Sequence, residues 1–259
     1  MSRKTSRRWE HKMNQCQVAA ITHRGRVRQS NEDAFSIDGD VFGESFLPPL
    51  IQHLDDRPHL LMVADGLGGH PYGELASRAT LEFLAARQEL WQSELAWSDA
   101  VCEANDHLYD VMHGDPALAG MGTTIVGLVL NKSSIIHFNV GDSRLYRYAT
   151  GRLNQLSQDD VPRERSTEGA HRSHEITQSI GGRESHVPVV PHARTAGALE
   201  SGERLLLCSD GLTDMASDED ILRVFINEND LSKCAQTLLD LALDAGGLDN
   251  ITVVIAGVG

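Results

Sequence analysis

Short aliphatic runs with an aspartate at one end recur along the chain. Leu60-Leu61-Met62-Val63-Ala64 runs into Asp65-Gly66, and Ile135–Val140 runs into Gly141-Asp142. Leu205-Leu206-Leu207-Cys208 runs into Ser209-Asp210-Gly211, and Asp249-Asn250 stands just before Ile251–Ile255. Asn31-Glu32-Asp33 places two more carboxylates ahead of Ala34-Phe35. Runs of this length, rich in β-branched residues, read as strands. The clearest are Val18–Thr22, Leu60–Ala64, Thr123–Leu130, Ile135–Val140, Arg204–Cys208 and Ile251–Ile255. Helical periodicity is expected over Gly73–Leu90, with Leu75, Ala79, Leu81, Leu84 and Ala86 near one stripe. Further helices are expected over Asp99–His113 behind a Ser98 cap, Asp218–Asn227 behind Ser217, and Leu231–Asp244. Strands come in consecutive groups and do not alternate strictly with helices, which predicts an α+β fold of mostly antiparallel sheets with helices outside. Gly39–Pro58, with Pro48-Pro49, and the polar stretch Ser157–Glu175 read as irregular, the latter as a long surface loop or small flap.

An aspartate after a strand is most often part of a turn. Five such pieces in one chain have a second meaning. If the strand ends converge, several carboxylates share one concave site, and their repulsion is costly unless divalent cations neutralise it. Oxygen ligands without Cys or His select hard ions, Mg²⁺ or Mn²⁺. Two such ions about 4 Å apart can clamp and activate a water for attack on phosphorus.

The rest of the composition narrows the function. The net charge of −14, from 37 acidic and 23 basic side chains, argues against a nucleic-acid binder. Cys16, Cys102, Cys208 and Cys234 are far apart in sequence, so neither a zinc site nor a disulfide framework is expected, and a reducing cytoplasm is the natural compartment. Cys208 reads as a small buried apolar residue, and His171 and His174 as surface histidines. No apolar stretch reaches the length of a transmembrane helix. Residues 1–14 hold Arg3, Lys4, Arg7, Arg8 and Lys12 without an apolar core, which fits a frayed basic tail and not a secretory signal; a docking arm for an anionic surface is the alternative. Residues 15–259 are expected to form one domain.

Arg28-Gln29-Ser30-Asn31-Glu32-Asp33, Val63-Ala64-Asp65-Gly66-Leu67-Gly68-Gly69-His70, Gly120-Met121-Gly122-Thr123-Thr124, Val140-Gly141-Asp142-Ser143-Arg144, Ser209-Asp210-Gly211-Leu212-Thr213-Asp214 and Asp249-Asn250-Ile251-Thr252 resemble, in order, the motif set of the PPM family. These are metal-dependent, type 2C-like protein serine/threonine phosphatases, and the resemblance is to bacterial members. It implies a four-layer α/β/β/α sandwich of two antiparallel sheets flanked by helices, with metals in a cleft at one edge. It implies a reaction, the hydrolysis of phosphoserine and phosphothreonine in proteins by a metal-activated water, opposing Ser/Thr kinases. Two core Mn²⁺ or Mg²⁺ ions are implied, with a third at a weaker site. Asp65 would bridge the two core ions, the Gly66 carbonyl would ligate one, and Asp210 and Asp249 the other. Glu32 and Asp33 would contribute directly or through water. Asp142, with Asp210 and Asp214, resembles the third site. Arg28 would bind the substrate phosphate through its planar guanidinium.

Two departures stand out. Leu67 occupies a position where some relatives carry a histidine proposed as general acid, which makes His70, three residues on, a candidate proton donor. The flap, about 157–182, looks shorter than usual and reads Gln158-Asp159-Asp160-Val161 in place of Asp-His-Ser. Implied partners are phosphoproteins and a cognate kinase, with a cytoplasmic monomer as the expected form. The alternative reading is a dedicated regulator phosphatase acting on one partner such as an anti-sigma-factor antagonist. A metal-free binding module and a small-molecule phosphohydrolase are more distant.

Overall fold

The structure is a computed structural model, and it describes residues 16–67, 72–87, 93–162 and 175–258. The basic tail, His70, His171 and His174 lie outside the described residues.

Two six-stranded antiparallel sheets face each other. The first has the order Arg152–Gln155 (β10), Arg144–Ala149 (β9), Arg204–Cys208 (β13), Ile251–Val258 (β14), Cys16–His23 (β1) and Phe46–Leu54 (β4). The second has the order His192–Gly197 (β12), Ser134–Val140 (β8), Ile125–Leu130 (β7), His59–Ala64 (β5), Ala34–Ile37 (β2) and Asp40–Phe42 (β3). A small two-stranded ladder joins Gly122–Thr123 (β6) to Ile180–Gly181 (β11). Gly73–Ala85 (α1) and Glu94–Gly114 (α2) cover the second sheet. Asp210–Thr213 (α3), Asp218–Asn227 (α4) and Leu231–Asp244 (α5) lie on the side of the first. The layers are α/β/β/α, as the motif resemblance implies.

Central strands are buried on both faces, so they read as largely apolar runs. Side chains still alternate between faces. In β5, Leu61 and Val63 enter the core between the sheets, beside Phe35, Val126, Leu128, Leu207 and Val254. Leu60, Met62 and Ala64 point the other way, into the core under α1 and α2. In β13, Leu205 and Leu207 face the partner sheet, while Leu206 and Cys208 pack under α5. Burial raises the Cys208 thiol to about 12, so it stays a protonated apolar filler.

Four expectations need correction. Gly39–Pro58 contains β3 and β4; β4 is a sheet edge, where Pro48 and Pro49 need not donate to a ladder. The expected strand Thr123–Leu130 is broken at Thr124, whose N–H and hydroxyl both turn to the Asp65 backbone, at 2.8 and 3.1 Å. Helix α2 starts at Glu94 with Ser93 as its cap, and Ser98 lies inside it. This extra turn carries Trp97, which is fully buried and stacks on Phe138 with ring centroids 4.6 Å apart. In α1 the helix ends at Ala85 and the buried stripe is Gly73, Ala76, Ser77, Thr80, Leu81, Leu84 and Ala85, which leaves Leu75 exposed. Edge strands such as β12, with no buried position and with polar His192, Arg194 and Thr195, carried too little apolar signal to be expected.

Trp97→Ala should lower the free energy of unfolding by about 3–5 kcal/mol, because it empties a fully enclosed site. Denaturant melts of wild type and variant check this; a loss below about 1 kcal/mol would contradict the packing described.

Candidate metal and phosphate site

Each strand end expected to carry chemistry reaches the same edge of the sandwich. A cavity of about 410 Å³ is lined there by Arg28, Asp65, Asp142, Asp210 and Asp249, which come from five separate chain segments. Glu32 instead faces a neighbouring cavity of about 370 Å³, with Tyr72 and Arg78. Asp33 lies behind the wall, fully buried. Asp214 closes the short helix that Asp210 opens, through its N–H to the Asp210 carbonyl at 2.7 Å.

The backbone explains why these positions are so fixed. The Asp65 carbonyl accepts from the Thr124 N–H and, at 2.7 Å, from the Thr123 hydroxyl. The Gly66 N–H donates to the Glu32 carbonyl at 3.2 Å, which clips the two motifs together. A Cβ on Gly66 would sit 2.5 Å from the Gly73 carbonyl, so only glycine fits that crossing. Gly211 is equally constrained by the Asn250 carbonyl, 1.9 Å from where its Cβ would be.

Side chains complete the frame. Asn250 is nearly buried; its Oδ1 accepts from the Glu32 N–H at 2.8 Å, and its Nδ2 donates to the Arg24 and Ser30 carbonyls. It thereby holds the loop that presents Arg28. Asp33 Oδ2 accepts from the Ser209 and Thr252 hydroxyls, both at 2.7 Å. Its Oδ1 is buried and has no hydrogen-bond partner among the described residues. The Arg28 guanidinium donates to Asp249 Oδ2 at 2.5 Å. Asn250, Ser209, Thr252 and Thr124 were not expected as functional positions. Their hydroxyls and amide sit inside strand or turn sequences where a β-branched or small residue already has a structural reason to be.

Electrostatics at the edge are strained. Burial, then the charges of Asp33, Asp210, Asp249 and Asp142, push Asp65 well above the usual carboxylate range. Asp33 is raised to about 7 by burial, with the two hydroxyl bonds opposing and Asp210 and Asp249 adding to the rise. Asp142 is raised to about 7 by burial and then by Asp210, Asp159 and Asp214. Glu32 is raised by burial, against the pull of Arg28. Burial works against the Arg28 charge, but Asp249, Asp65 and Glu32 hold its pKa above normal.

Among the described residues no three His, Cys, Asp or Glu side chains already stand at coordination spacing; Asp249 is turned to Arg28 and Asp33 to its two hydroxyls. The donor set nonetheless fits a hard divalent cation. It is all oxygen, it is short of positive charge, and Asp33 Oδ1 is a buried acceptor still unpartnered among the described residues.

The departures in the flap also have a place. Asp159 pairs with the Arg144 guanidinium at 2.7 Å. Asp160 is buried; it accepts from the Gly141 N–H, Gln178 Nε2 and His192 Nε2, each at 2.9 Å. Leu67 lines the cavity, its N–H bonded to the Gly122 carbonyl.

A two-sheet sandwich with a carboxylate cleft at one sheet edge is the architecture of a metal-dependent phosphatase fold. Residues 29–240 match the family model described as Protein phosphatase 2C. The serine/threonine protein phosphatase PstP of Mycobacterium tuberculosis is 35% identical over 255 residues, covering 93% of this chain and 44% of that protein. The serine/threonine phosphatase stp of Listeria welshimeri is 33% identical over 257 residues, covering 90% of this chain and 92% of that one. A crystal structure of the PstP catalytic domain in complex with two manganese ions superposes with a TM-score of 0.72 at 31% identity, covering 94% of this chain and 98% of the other. The chain belongs to the protein phosphatase 2C family. It spans less than half the length of the mycobacterial relative.

The raised carboxyls have a sign that can be measured. A carboxyl whose folded pKa lies near 7 instead of near 3.8 costs stability as pH rises from about 4 to about 7, because the unfolded chain gives up its proton first. In EDTA, Asp33→Asn should therefore be more stable than wild type at pH 8, and the gap should shrink toward pH 5.5. With saturating Mn²⁺ at pH 8 the order should invert. Thermal melts at the two pH values, with and without Mn²⁺, decide it; a gap independent of pH would contradict the electrostatics described.

Proposed function

We propose that this chain is a protein serine/threonine phosphatase that hydrolyses phosphoserine and phosphothreonine monoesters with divalent metal. The observation that carries the reading is the single cavity that gathers Arg28 with Asp65, Asp142, Asp210 and Asp249. Asp65, Asp210, Asp249 and the Gly66 carbonyl would hold two Mn²⁺ or Mg²⁺ ions, with Glu32 and Asp33 in support. Asp142, Asp210 and Asp214 would hold a third. Bound divalent cations supply Lewis-acid polarisation and lower the pKa of water.

The chain's own residues do the rest. The Arg28 guanidinium orients the phosphate through charge-assisted bonds, and Asp249 fixes its direction before substrate arrives. Asn250 holds the loop beneath it. Serine and threonine alkoxides are poor leaving groups and need a proton at the ester oxygen. His70 is the proposed donor, since Leu67 cannot serve. No described helix is long and apolar enough to cross a membrane. A cytoplasmic monomer acting against a Ser/Thr kinase is part of the proposal.

Phosphopeptide hydrolysis should require added Mn²⁺ or Mg²⁺ and stop in excess EDTA. At saturating Mn²⁺, Asp65→Asn should lose several orders of magnitude in kcat and Asp142→Asn much less. Metal-independent turnover would overturn the reading; equal losses would overturn the division of roles.

His70→Ala should slow a phosphoserine peptide by about 10²–10⁴-fold while sparing p-nitrophenyl phosphate, whose phenolate leaves without a proton. Parallel kcat measurements at checked metal occupancy test this, and equal effects on both substrates would remove His70 as the acid.

A further inference from the structure

The cavity is larger than the phosphate end requires. Beyond the carboxylates it runs along a wall formed by residues 182–189, with Arg183, Val187 and Pro188 on the lining and exposed. Its volume of about 410 Å³ falls in the range of ~300–1,000 Å³ that takes a sizeable ligand.

This wall is fixed before any substrate arrives. Asn105 of α2, almost fully buried, accepts from the Gly181 N–H at 2.9 Å and donates to the Val187 carbonyl at 3.0 Å. His186 bonds Asp106 at 2.7 Å, and the Cys102 thiol reaches the Val189 carbonyl at 3.7 Å. At the far end, Gln178 Oε1 accepts from the Val190 N–H at 2.8 Å. A group docking against a wall held in this way orders little backbone, so the contact is retained as binding energy.

Arg183 follows directly on Gly182, whose own crossing with Leu67 and Ser179 is tight. No carboxylate among the described residues pairs with Arg183. Among the described residues the lining holds two cations: Arg28, already engaged by Asp249, and Arg183. Among the described residues Glu175 is the one lining anion outside the strand-end group. A guanidinium on the same lining as the apolar Val187 and Pro188 matches a carboxylate in geometry and charge.

Resting on the phosphatase reading above, we propose that the 182–189 wall is the subsite for residues flanking the phosphorylated one, and that Arg183 selects substrates with an acidic residue within about two positions of it. An extended chain advances about 3.3–3.6 Å per residue, so a flanking carboxylate reaches past the metal end while Val187 and Pro188 take its aliphatic part. The overall charge of −14 repels acidic peptides at long range, so the preference has to be local.

The test uses two phosphothreonine peptides, identical except for Asp or Lys at the two positions on each side, and reads the ratio of their kcat/KM with Mn²⁺. Wild type should favour the acidic peptide by about three- to fivefold at low salt, with the ratio falling at about 0.5 M salt. R183A should bring the ratio near one, and R183E should invert it, a swing of about tenfold. R223E makes the same charge change on the exposed face of α4 and should leave the ratio alone. E175Q should raise the ratio slightly. A basic preference in wild type, or a ratio that R183E leaves unchanged, would overturn the role of Arg183 while hydrolysis itself upholds the phosphatase reading. Failure to hydrolyse either peptide would overturn both.

Discussion

Carboxylates repel one another at one edge of this sandwich, and the surrounding structure is arranged to hold them there. Asp65, Asp142, Asp210 and Asp249 line one cavity, with Asp33 buried behind them and Glu32 alongside. Left alone, like charges in a poorly solvated site would spread apart or take up protons, and the raised pKa values of Asp33, Asp65 and Asp142 express that tension. Ser209 and Thr252 hydroxyls oppose it at Asp33, Arg28 opposes it at Asp249, and Asn250 closes the loop between them. A divalent cation is the natural partner for such a site, because it converts the repulsion into coordination.

That arrangement needs a rigid support, and the two doubly buried sheets supply it. Antiparallel registers bring Ala64, Val140, Cys208 and Ile251 to one edge, and the aspartates follow or precede them by one or two residues. Where the support must bend toward the site, it does so at identifiable positions. Thr124 leaves its ladder to bind the Asp65 backbone, and Gly66 lets two segments cross at a distance no side chain allows. The strain at the site is thus offset by packing far from it, in the core between the sheets and under the two helical layers.

Around the mouth the chain uses a different device. Asp160 joins Gly141, Gln178 and His192 through one buried carboxylate, and Asn105 joins Gly181 to Val187 through one buried amide. Both are side chains spanning long separations in sequence to fix irregular backbone, which has no ladder of its own to hold it. The wall formed by residues 182–189 is therefore tied to α2, although it belongs to no sheet or helix.

Much of this was legible in the residues alone. Largely apolar runs marked β5, β8, β13 and β14 because strands buried on both faces have few polar positions to interrupt them. Aspartates at their ends, in the order of a known motif set, marked the site. Composition could not reveal β4, β10 or β12, whose exposed positions make edge strands resemble loops, nor the first turn of α2, which exists because Trp97 finds Phe138 across the layer boundary. Nor could it separate Asp65, on the cavity wall, from Asp33 behind it, or Glu32 in the adjoining cavity. Sequence determined which groups carry the charge. Tertiary structure decided which of them meet, because convergence depends on strand register and on hydroxyls and amides contributed from more than 200 residues away, as with Asp33 and Thr252 at a separation of 219.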